Sequence, residues 1–198
     1  MSRYLNIDSM RRVYNDHPNP CNFILNVGQF EHTNSYERTV NNLNPMRSNA
    51  NFTRTVELLH LIVPFDVITY GSNNTPSHFA DLPFIGVDVH SSTNDSDLIT
   101  SADGTPGGLK FICERADIVT NSGGAETWIL FKAPMLKQVM RFEIKDNITF
   151  VLRHPDGGTI NLAATEGDLT KRVQCLLRVT PYERDGSFDN HHRNQRKI

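Results

Sequence analysis

Apolar and polar residues alternate with a period of two along much of this chain. In "KQVMRFEIK" (137–145), Met140, Phe142 and Ile144 share one face while Val139, Arg141 and Glu143 share the other, the pattern of a half-buried strand. In "NITFVLRH" (147–154), Ile148, Phe150 and Leu152 alternate with Thr149, Val151 and Arg153. The short, polar link Lys145-Asp146-Asn147 predicts that these two strands form a hairpin. The same reasoning predicts strands over 22–30, 54–63, 83–91, 109–119, 126–133, 158–162 and 171–180, separated by segments rich in Asn, Gly, Pro, Ser and Asp. Helical periodicity is nearly absent. A short helix capped by Asp8 or Ser9 is expected within 6–16, and a single turn within 165–172.

The connections differ in length. Polar stretches at 69–82 and 91–108 contrast with tight links near 134–137, 145–147 and 154–158. Long crossings mixed with hairpins predict a Greek-key path, and so an all-β sandwich of two antiparallel sheets. Residues 1–20 and 184–198 lack apolar periodicity and are polar, which predicts an N-terminal arm and a C-terminal tail outside a domain of residues 21–183. Two strands are apolar on both faces. Trp128 and Leu130 alternate with Ile129 and Phe131, and Val56, Leu58 and Ile62 alternate with Leu59, Leu61 and Val63. Such a strand is central, lies under a covering arm, or faces another protein.

Composition narrows the function. With 20 Lys and Arg against 22 Asp and Glu, the net charge of −2 gives no long-range attraction for nucleic acid, so direct nucleic-acid binding is not expected. The cysteines, Cys21, Cys113 and Cys175, are widely spaced and odd in number, as expected of free thiols in a reducing compartment. The opening "MSRYLNIDSMRRVYND" does not resemble an export signal. The strongest apolar run, "LLHLIVPF" (58–65), falls far short of the ~20 residues of a spanning helix. The sequons at Asn51, Asn73, Asn94 and Asn147 are then read as products of a high asparagine content.

Candidate chemistry is sparse. Eight histidines raise the question of a metal, but a β-fold metal site draws ligands from alternate positions of one strand. No His-x-His is present: His60 and His90 lie on separate strands, His154 in a turn and His191-His192 in the tail. No Gly-x-Ser-x-Gly elbow and no phosphate-cradling loop occurs, and Cys113 and Cys175 fall in strand register. No catalytic residue, cofactor or metal is therefore expected. In "RHPDGGTINL" (153–162), Pro155 fixes a dihedral, Asp156 can bond the local backbone, and Gly157-Gly158 permit positive φ. That segment reads as a chain reversal between strands.

The order of "RTVELLHLIVPF", "LPFIGVDVHS" and "WILFKAPMLKQVMRFEIKDNITFVLRHPDGGTINL" resembles the minor capsid proteins of large icosahedral double-stranded DNA viruses. The resemblance lies in the late strand-link-strand segment with its P-D-G-G turn and covers roughly residues 54–180. It implies a jelly-roll sandwich with extended terminal arms and a structural role in the virion, assembled in the host cytoplasm. Its implied partners are the major capsid protein and other minor capsid proteins, with a homo-oligomer also possible. Terminal arms would wrap neighbouring subunits, and Arg11, Arg12, Tyr14, Phe188 and Arg193 are the candidate contacts. The alternative is a non-catalytic jelly-roll carbohydrate- or protein-binding module with its site in the long loops. For sugar stacking those loops offer only Tyr70 and Phe79.

Overall fold

The computed structural model describes residues 2–26, 53–91, 111–120, 127–133, 137–141 and 147–181. Among them are twelve strands and three single 3-10 turns, with no α-helix. The strands are β1 (Arg3–Asp8), β2 (Asn22–Asn26), β3 (Thr53–Pro64), β4 (Val67–Tyr70), β5 (Thr75–His78), β6 (Phe84–Ser91), β7 (Phe111–Thr120), β8 (Thr127–Lys132), β9 (Lys137–Arg141), β10 (Asn147–Arg153), β11 (Ile160–Asn161) and β12 (Gln174–Pro181). A nine-stranded sheet runs in the order β1-β12-β3-β8-β7-β6-β10-β2, with β9 also on β3; a second sheet runs β11-β4-β5. All pairings are antiparallel.

Only β6-β7-β8 join neighbours in succession within the large sheet; its other pairings link strands distant in sequence. The inward residues of nearly every strand meet in one core. Ile7, Cys175, Leu177, Val56, Leu61, Ile129 and Phe131 come from one half of the sheet, and Phe111, Cys113, Ile85, Val87, Phe150 and Phe23 from the other. Full burial of one sheet face requires a second layer over it. Among the described residues no helix supplies that layer, so the sheet folds back over itself, with β4 and β11 adding Ile68 and Ile160 to the same core. This is the expected all-β, antiparallel, sandwich- or barrel-like architecture.

Two bulges shape the curl. Between β12 and β3 the register moves from Leu176↔His60 to Leu177↔Leu58, which leaves Leu59 without an opposite residue. The inward face of β3 is therefore Val56 and Leu58 before the bulge and Leu61 and Val63 after it. Ile62 thus parts from Val56 and Leu58 and turns outward, which corrects the grouping that strict alternation predicts. A second irregularity separates Arg115 from Asp117 in the β7–β8 pairing.

The predicted 137–145/147–153 hairpin does not form. β10 pairs with β2 and β6, whereas β9 continues beyond β8 along the same edge of β3. Residues 142–146, including Phe142 and Ile144, lie outside the described residues. The N-terminal segment is likewise not an arm outside the sandwich. Arg3–Asp8 is strand β1, in register with β12 from Arg3↔Val179 to Asp8↔Gln174, and Ile7 enters the core. The helix expected within 6–16 reduces to one 3-10 turn, Ser9–Arg11, capped by Asp8 through Met10 N–H to Oδ1 at 3.0 Å.

Candidate interaction surface

Three adjacent strands, β3, β8 and β7, carry an apolar strip on the face turned away from the core, with Gln174 of the neighbouring β12 at its polar edge. Opposite residues of antiparallel neighbours share a face. The register Gln174↔Ile62, Ile62↔Leu130 and Leu130↔Asp117 therefore places these four side chains in one row across the strands. The adjoining row holds Trp128 opposite Val119. Ile62, Leu130, Trp128 and Val119 line a groove of about 380 Å³, with Arg172 and Gln174 at the β12 rim. Trp128, Leu130 and Ile62 are half-buried, and Val119 is 49% exposed. The two-faced strand around Trp128 thus buries Ile129 and Phe131 and presents Trp128 and Leu130 to the groove.

The β12 rim is anchored by hydrogen bonds to β1 and the turn after it. Arg172 Nε donates to Asp8 Oδ1 at 3.0 Å and its Nη2 donates to Oδ2. Ser9 Oγ accepts from Val173 N–H at 2.9 Å while Ser9 N–H donates to the Val173 carbonyl at the same distance. The hydrogen bond to Asp8 raises the guanidinium pKa above its usual range. The Asp8 side chain is 7% exposed and that of Arg172 is 37% exposed, so the pair presents its cation to solvent. Gln174 donates from Nε2 to Asn6 Oδ1 at 3.0 Å. Further along β12, Arg178 donates to Glu57 of β3 through Nε at 3.0 Å and also through Nη2.

The predicted contact residues fall elsewhere. Arg12 bonds within its own segment: Nε to the His17 carbonyl at 2.8 Å, Nη1 to the Ser9 carbonyl at 2.6 Å and Nη2 to the Pro18 carbonyl at 3.1 Å. Burial lowers its pKa. Tyr14 donates its hydroxyl to the Ala164 carbonyl at 3.1 Å. Arg12 thus braces the segment after β1 from within, while Tyr14 ties that segment to the chain before β12. Arg11 is exposed at the end of the 3-10 turn, while Phe188 and Arg193 lie outside the described residues.

The only two aromatics that the long loops offered for sugar stacking are also engaged. Phe79 is fully buried, and the Tyr70 ring stacks on the His154 ring with centroids 3.6 Å apart. Residues 92–108 of the second long loop lie outside the described residues.

The remaining chemistry is structural in its placement. Cys21, Cys113 and Cys175 are free and buried. Burial pushes the Cys113 thiol up to about 12 and raises the other two, and the neighbouring Cys113 adds to the rise at Cys175. All three hold their protons and are poor nucleophiles or metal ligands at neutral pH. Among the described residues no group of three His, Cys, Asp or Glu side chains is placed to hold a metal ion. Nor is any helix among them long and apolar enough to cross a membrane.

Fold and surface together define an all-β protein with antiparallel sheets and an apolar groove on its outer face. No family model matches the sequence, and no curated protein matches it.

Proposed function

We propose that this chain is a structural, non-catalytic protein of an icosahedral virus shell, a minor capsid or cement protein that joins major capsomers, and that the outer face of β12, β3, β8 and β7 is an assembly surface. The observation that carries the reading is the apolar groove of Ile62, Val119, Trp128 and Leu130 on the solvent side of the sheet. Water contact with this strip is unfavourable by ~25 cal/mol per Å² of apolar area, and a protein partner removes it. A Trp and large aliphatic residues within a polar rim is also the anatomy of an interface core. The reading is further supported by the resemblance of residues 54–180 to minor capsid proteins and by the sandwich-like all-β fold. On this reading the protein resides in the virion after assembly in the host cytoplasm, and it contacts the major capsid protein and other minor capsid proteins.

Sedimentation of assembled particles through a density gradient tests the proposal. The protein is expected to travel with the particles at a fixed ratio to the major shell protein through high-salt washes. Its absence from washed particles overturns the reading.

A further inference from the structure

We infer that the groove face also packs against a second copy of this chain, in a two-fold dimer whose axis runs parallel to the strands between β3 and β8. The inference rests on the reading of this face as an assembly surface and names one occupant of it.

The argument is the symmetry of the row. From β12 to β7 it reads Gln174, Ile62, Leu130, Asp117: polar, apolar, apolar, acidic. With strands about 4.8 Å apart, the two rims lie roughly 7 Å on either side of a line between β3 and β8. Rotation about that line lays Ile62 of one copy over Leu130 of the second and Leu130 over Ile62. The same rotation brings Asp117 of each copy over the β12 rim of the other. That rim exposes Gln174 and, two residues before it, the Arg172 guanidinium, whose Nε and Nη2 are spent on Asp8. Asp117 commits Oδ1 to the Ile118 N–H at 2.8 Å, which leaves Oδ2 for a partner. Each pairing occurs twice, as an isologous contact requires. An in-plane axis perpendicular to the strands, along the row, instead sets β12 against β12 and β7 against β7, so that Asp117 faces Asp117, a like-charge contact. The face is thus self-complementary in one orientation, and aligned packing of two twisted sheets is a common geometry.

Sedimentation velocity of the full chain from about 1 to about 200 µM tests this. A concentration-dependent monomer–dimer equilibrium is expected. Leu130→Asp should weaken it roughly tenfold or more, with far-UV circular dichroism confirming an intact fold. Because that variant can perturb the sheet, the charge exchange is the sharper test. Asp117→Lys alone and Gln174→Glu alone should each weaken the dimer, the first by placing a cation beside Arg172 of the second copy and the second by facing Asp117, while the double variant should regain most of the loss. A protein that stays monomeric throughout, or a dimer indifferent to all these changes, overturns the inference. If the protein is monomeric but travels with washed particles, the dimer fails and the shell reading stands; a dimer absent from particles gives the reverse.

Discussion

The imidazole of His154 lies flat against the phenol ring of Tyr70, with centroids 3.6 Å apart and planes 5° from parallel. His154 follows β10 and Tyr70 ends β4, so the stack joins the large sheet to the small one. His154 Nδ1 lies 3.0 Å from Asp156 Oδ1, and Asp156 Oδ1 accepts from Gly158 N–H at 2.9 Å. His154 N–H donates to the Gly158 carbonyl at 2.8 Å, and Gly71 N–H reaches the Thr159 carbonyl at 3.2 Å. His154-Pro155-Asp156 therefore orders a turn and its docking.

If the stack couples the two sheets, removing either ring should forfeit the same interaction. We predict that Tyr70→Leu and His154→Leu each destabilise the fold. A double-mutant cycle by urea denaturation should give a coupling of about 0.5–1.5 kcal/mol, the usual range for aromatic pairs. Strict additivity would mean that the rings only touch.

The two glycines of the turn are needed for different reasons. Gly157 has φ of 91° and open space around its Cβ direction, whereas a Cβ on Gly158 would lie 3.0 Å from Gly71 N and 3.1 Å from Gly71 Cα. Gly157→Ala should cost about 1–2 kcal/mol from the left-handed backbone alone. Gly158→Ala should cost about 1–3 kcal/mol by overpacking against backbone that cannot swing away. Replacing Gly157 with Asn, which tolerates positive φ, should recover part of the first loss; Gly158→Asn should recover nothing. Thermal melts compare the four variants.

The buried thiols make stability fall in alkali. Folding raises their pKa values, Cys113 to about 12, while an unfolded cysteine ionises near 8.5. The folded state therefore keeps protons that the unfolded state releases. The thiol contribution is complete below pH ~8.5 and is lost as pH rises towards 12, by up to ~1.4 kcal/mol per pH unit for each thiol. Urea midpoints of Cys113→Ala should fall less steeply between pH 9 and 11 than those of the parent, although the variant starts lower because of its cavity. Equal slopes would contradict the assignment.

Much of this fold was legible from period-two alternation. All nine expected strand regions contain strands, because long apolar strands such as β3 and β10 must turn alternate residues into one core. Alternation missed three strands: β4, "VITY", is only four residues long and follows directly on β3, although it buries Ile68, and the other two had little apolar signal. β1 buries Ile7 in the core within "RYLNID", and β5, "TPSH", has no large apolar side chain; both gain their place from pairing with β12 and β4. The β9–β10 hairpin failed as an expectation because local turn residues do not record that β3 offers β9 a free length of edge and that β2 and β6 flank β10. The surface was half legible. Trp128 and Leu130 were readable as a second apolar face, but the outward turn of Ile62 depends on the bulge at Leu59, which strict alternation does not reveal. Tyr14 looked like an arm residue because the sequence does not show that the fold brings the Ala164 carbonyl to it, and Arg12 because the local loop that wraps its guanidinium has no apolar periodicity.

The proposed shell role is tested most directly by crosslinking mass spectrometry on intact, washed particles with an amine-reactive reagent. Lys132 ends β8 and Lys137 opens β9, both exposed beside the groove face. We predict crosslinks from Lys132 or Lys137 to the major shell protein, to another minor shell protein or to a second copy of this chain, reduced in particles carrying Leu130→Asp. Particles that lack the chain, or crosslinks to shell proteins that avoid both lysines, would contradict the account.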